Sequence, residues 1–235
     1  MSDPSSASIS DLLNRIANHR WTRAEIAWES LGRVYRAYQR NAVELLMVIT
    51  DPQRDPDLAL KIMSEDQAEH VRDLYYDELF RQLLNYLASI STLIDLSRNH
   101  MQPYQTSTFG SEYKNRTLTI KDLPVAAFIK RLRNYLLHHR FPPPGVSLIL
   151  SDEPSASSFT VTLNRDTLLK GGGWNKEAKA YIRSKDPLIL QEAVEEYATA
   201  IEGLYEWLFE QFTVVHQHDL IEVNRLKTEA RELLS

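Results

Sequence analysis

No cysteine occurs among the 235 residues. That absence excludes a disulfide framework, thiolate-bound zinc or iron–sulfur centres and cysteine nucleophiles, and makes the cytoplasm the expected compartment. Glycine is scarce as well, at seven residues. Tight turns and phosphate-cradling loops consume glycine, so its scarcity beside abundant Leu, Ala, Glu, Gln and Arg predicts a mainly α chain of long helices. Long hydrophobic runs are missing: the most apolar stretch, Leu83 to Leu96, holds Asn85, Ser89, Ser91 and Asp95 and is too short to span a bilayer. The N-terminal MSDPSSASIS is polar where a signal peptide would be basic and then apolar. Residues 1–10 are therefore expected as a frayed tail, followed by one helical bundle domain over 11–235, with no membrane association.

Periodicity gives the elements. Ala27, Leu31, Val34, Tyr38, Ala42, Leu45 and Ile49 recur in steps of three and four and predict a helix over 22–49, stopped by Pro52 and Pro56. The pattern resumes from Leu58 to about His100. Ser64 and Gln67 have the spacing of a capping box, so Leu58 to Met63 can form a separate turn. A main helix this long, on the order of 50 Å, favours an elongated bundle or a helix shared with a partner chain. Residues 101–119, with Pro103 and Gly110, read as a loop holding at most a short helix. Residues 121–140 form the next helix, with Val125, Phe128, Leu132 and Leu136 inward, ended by Pro142-Pro143-Pro144-Gly145. Val146–Leu150 and Phe159–Leu163 alternate and predict a small β-hairpin at about 146–163, packed on the bundle through Phe159, Val161 and Leu163. A short helix over 175–182, a bundle helix carrying Leu190 to Phe212 and a last amphipathic helix complete the chain.

The net charge of −5 is unevenly spread. Lys114 to Arg140 holds seven bases against one acid, a balance of +6, and leaves −11 for the remainder. Within it, Lys130 to Arg140 combines guanidinium, amide and imidazole groups in three helical turns. Arg grips phosphate with a planar fork of donors, and imidazole moves protons near neutral pH, a pairing suited to phosphodiester chemistry. Asn134 and His138 share a face with Arg131, whereas Arg133 lies about 140° from His138 around the axis.

Arg133-Asn134-Tyr135-Leu136-Leu137-His138 resembles the motif of the HEPN family, helical "higher eukaryotes and prokaryotes nucleotide-binding" domains. In these an Arg, often followed by Asn, precedes a His by four to six residues near a helix end. Arg131 to His138 fits the longer spacing. The resemblance implies a helical bundle, commonly a homodimer with facing motifs, and in active members metal-independent RNA cleavage in toxin or defence systems, with an antitoxin as a protein partner and no cofactor or metal. It implies Arg133 on the scissile phosphate, His138 as general acid or base and Asn134 orienting the group. Lys130, Arg131, His139 and Arg140 would contact RNA phosphates, although His139 also aligns with Leu132 and Leu136 as a packing residue. The hairpin and Gly171-Gly172-Gly173-Trp174 depart from the minimal family pattern.

Three readings stay open at this point: a dimeric endoribonuclease, a noncatalytic helical module binding a protein or nucleotide, and a structural bundle in which Arg133 and His138 tie helices together. In the last, the basic helix complements the acidic stretch from Lys185 to Phe212, with seven acids against one base. Gly171 to Trp174 before a helix start has some likeness to a phosphate loop, but lacks the Gly-Lys-Ser/Thr ending. His216, His218 and Glu222 are weak metal-ligand candidates.

Overall fold

The computed structural model describes residues 4–64, 69–138, 144–149 and 158–234. Its helices are α1 (Pro4–Asn18), α2 (Arg20–Arg54), α3 (Pro56–Met63), α4 (Glu69–Met101), α5 (Thr108–Lys121), α6 (Pro124–His138), α7 (Arg165–Gly171), α8 (Lys176–Ser184), α9 (Leu190–Val215) and α10 (Gln217–Glu232). A single 3-10 turn spans Gln102–Tyr104, and strands β1 (Gly145–Ile149) and β2 (Ser158–Thr162) pair antiparallel. The mainly helical class with one small hairpin agrees with the periodicity.

Long helices α2, α4 and α9 form the core of the bundle. Tyr38 meets Tyr86 and Tyr35 meets Tyr205, while Trp28 stacks on Phe212 at 4.1 Å. These pairings run α9 antiparallel to α2. The stripe of Leu31, Tyr38, Ala42, Leu45 and Ile49 that defines α2 in the sequence is buried, because residues three and four apart fall on one helical face and remove their apolar surface from water together.

Several boundaries differ from expectation. Helix α1 begins at Pro4, so residues 4–10, expected as tail, are helical; further along, Leu12 packs on Leu226 and Ala230 of α10. Pro52 lies inside α2, buried in its last turn, and the helix ends only at Asp55, whose side chain accepts a bond from the Leu58 amide to cap α3. A proline so near the end forfeits few backbone bonds. Ser64 is the C-cap of α3 and Gln67 falls outside the described residues, as do His139 and Arg140.

The expected loop over 101–119 is mostly α5. Ser107 caps it, accepting from the Gly110 amide at 3.1 Å, and Phe109 and Tyr113 are its buried face. Gly110 is required there, since a Cβ would run into the Tyr104 carbonyl. Asp122 and Leu123 then separate α5 from α6, so the helix expected from residue 121 starts only at Pro124.

The hairpin docks as expected, with Phe159, Val161 and Leu163 buried. Gln53 Nε2 donates to the Phe159 carbonyl at 2.8 Å, and the Leu163 amide to the Leu188 carbonyl at 2.9 Å.

Candidate functional site

Helix α6 buries Val125, Ala126, Phe128, Ile129, Leu132, Tyr135 and Leu136. The opposite side carries Lys130, Asn134, Leu137 and His138, all exposed, with half-buried Arg131 and Arg133 on its two shoulders. At 100° per residue, Arg131 lies about 20° from His138 around the axis and about 10 Å along it, whereas Arg133 sits on the far shoulder. One chain therefore directs Arg131 and His138 the same way and Arg133 another. His138 ends the helix.

Among the described residues, Lys130, Arg131, Arg133, Asn134 and His138 make no side-chain hydrogen bond or ion pair. The acids of α9 do not neutralise them: Glu192 and Glu196 face Lys185 at 3.5 and 3.8 Å, and Tyr181 Oη donates to Glu196. Among the described residues, then, no hydrogen bond or ion pair of Arg133 or His138 ties two helices, and no acid of α9 pairs with the α6 cations. Elsewhere in the basic segment Arg116 is occupied, its guanidinium lying 4.4 Å from the centre of the Trp207 ring.

Support for α6 comes from behind. Tyr135 stacks on Trp174 at 5.3 Å, Phe128 stacks on Trp174 and Tyr181, and Trp174 Nε1 donates to the Leu168 carbonyl at 2.6 Å. Gly171 lets the chain pass against the Tyr135 ring, where a Cβ would collide, and Gly172 and Gly173 both adopt φ 78°. The glycine run is thus a turn that seats Trp174 behind the candidate helix. Asn175 caps α8 by accepting from the Ala178 amide at 3.1 Å, so that helix start already has its acceptor.

A buried polar chain escaped the sequence reading. Tyr104 Oη lies 2.7 Å from His216 Nε2, His216 Nδ1 lies 2.7 Å from Asp219 Oδ2, and Arg20 Nε lies 3.6 Å from the same carboxylate oxygen. A carboxylate only accepts, so Nδ1 carries a proton toward Asp219, and Nε2 faces the Tyr104 hydroxyl. His216 is 1% exposed. It is committed to this chain, His218 is exposed, and Glu222 lies beside His19 at 3.5 Å, so the metal-ligand reading of His216, His218 and Glu222 falls. The only sequence signal was the break between bundle helices at His216.

Two crevices stand out, of about 500 Å³ between α2 and α9 and about 270 Å³ beside α3, and neither is lined by α6. No described helix is long and apolar enough to cross a membrane.

The fold defines a mainly helical bundle with one small antiparallel hairpin. In comparisons with protein-family models, curated proteins and solved structures, the chain matches none.

Proposed function

We propose that this chain is a HEPN-like endoribonuclease whose active site forms between two copies, each contributing the end of α6. The observation that carries the reading is the unpartnered, outward set of Arg133, Asn134 and His138 at a helix C-terminus inside the most basic segment. Because Arg133 and His138 diverge within one chain, a composite site is the natural way to bring an Arg and a His to one phosphate. Arg133 then holds the scissile phosphate and stabilises the charge that develops there. The 2′-oxygen forms the new bond to phosphorus as the 5′-oxygen leaves, and His138 carries a proton in one of these transfers. Asn134 orients the phosphate, and Lys130 and Arg131 hold the neighbouring backbone, with His139 and Arg140 beyond the described residues assigned the same task.

Purified protein incubated with RNA in EDTA is expected to cleave it. Arg133→Ala and His138→Ala should each lower the rate by roughly 100-fold or more while melting and helicity stay native, since neither side chain has a hydrogen bond or ion pair to lose among the described residues. Light scattering should report a dimer. Inert protein across RNA types, or a monomer at assay concentration, overturns the proposal. A monomer with an intact fold would instead favour the noncatalytic module, for which the 58% exposure of Leu137 beside the cations argues, with an antitoxin-like protein as its partner.

A further inference from the structure

The larger crevice lies away from α6 and does not depend on the ribonuclease reading. Its floor is aromatic: Trp28 and Phe212 stacked on one another, and half-buried Phe209. Phe209 lies 5.9 Å from Trp28 and 5.7 Å from Tyr35, measured between ring centres. That places it level with Gly32, midway between those residues on α2.

Gly32 is the unusual residue. A glycine inside a 35-residue helix costs about 1 kcal/mol relative to alanine, and no positive φ requires one here. Its effect is to leave the α2 side of the crevice lined by Arg36 in place of a side chain at 32. The nearest atom to a Cβ built there is Arg36 Nη1 at 3.4 Å, so the guanidinium folds back along the helix over the glycine.

Charges along the crevice divide unevenly. Glu29 and Arg33 lie 3.6 Å apart as an exposed pair. Arg36 lines the crevice at one end and Glu25 at the other, and neither has a hydrogen bond or ion pair among the described residues. An aromatic wall, an absent side chain and an unpaired guanidinium thus converge on one place.

We propose that the α2–α9 crevice binds a planar aromatic molecule carrying one anionic group, its ring against Phe209 over Gly32 and its anion on Arg36. The volume, about 500 Å³, falls in the range of small-ligand sites. Guanidinium forks match carboxylate and phosphate oxygens alike, so both sources of the anion share this chemistry. Glu25, eleven positions from Arg36, disfavours a second negative charge at the far end.

Isothermal titration of the full chain with indole-3-acetate and with adenosine 5′-monophosphate, each beside its neutral counterpart indole or adenosine, tests this. At least one anion should bind with one site per chain and roughly tenfold more tightly than its counterpart; which one does so separates a carboxylate from a phosphate ester. Gly32→Leu should abolish binding while holding or raising the melting temperature, because leucine is the better helix former. Arg36→Gln should erase the preference for the anion and keep the weak binding of the ring. Equal affinity for anionic and neutral probes, or a Gly32→Leu chain that binds as the native does, overturns the proposal. If Gly32→Leu fails to fold, loss or retention of the anion preference in Arg36→Gln decides it alone.

Discussion

His216 illustrates how one residue can join three elements. Its Nδ1 bonds Asp219 one helical turn ahead on α10, and its Nε2 takes the hydroxyl of Tyr104 from the turn after α4. Its ring packs on Phe212 at 4.7 Å and on the edge of Trp21 at 6.0 Å. Burial pushes the Tyr104 hydroxyl above its ordinary range, which keeps it a donor. Tyr104→Phe should cost about 1–3 kcal/mol, because it leaves a buried ring nitrogen without its partner. His216→Ala should cost more, about 2–5 kcal/mol, by adding a cavity among the rings. In urea melts the double variant should lose less than the sum of the two, since both remove the same bond. Additive losses would show that the bond contributes little.

Among the elements, α6 and α9 were legible because their apolar residues repeat strictly and their other faces are charged. The hairpin was legible from alternation and flanking turns. Helix α5 was not: its apolar face is little more than Phe109 and Tyr113, and its glycine suggested a turn. That glycine answers to the Tyr104 carbonyl, into which a Cβ would run, rather than to its own neighbours in the helix pattern. The Gly171 to Trp174 run was ambiguous for the same reason, since the need for glycine at 171 comes from a tyrosine on another helix. Gly171→Val should therefore push on Tyr135 and destabilise by about 1–3 kcal/mol. Combining it with Tyr135→Leu should return part of that loss in denaturant titrations; no recovery would mean the valine is resisted by the backbone.

Across the whole molecule, α2, α4 and α9 enclose a cluster of tyrosines. Burial raises Tyr35 and Tyr197 from an ordinary 10.0 to about 12, Glu202 and Glu206 adding to the effect at Tyr35. Tyr38, Tyr86 and Tyr205 are raised further, chiefly by burial. The unfolded chain loses these protons first, so it binds fewer protons than the folded chain above pH 10. Stability is then fully present below about pH 10 and falls as pH rises toward 12. Melting temperatures across pH 8 to 11 should be flat up to the ordinary tyrosine range and then drop. At the same time, tyrosinate absorbance should appear together with unfolding. Tyrosinate absorbance growing in a chain that stays folded would contradict the enclosure.

Helical faces, the hairpin and the concentration of positive charge on one segment were determined by sequence alone, because periodicity and composition are local properties of a chain. The outward placement of Asn134 and His138 follows from the same arithmetic. Only the tertiary structure decided that the acids of α9 leave the α6 cations unpaired, and that His216 meets Tyr104 across 112 positions. It also decided that Gly32 and Phe209 line one crevice. Each of these depends on which faces of distant helices come together, and packing fixes that through shape and burial, without a pairing pattern written along the chain.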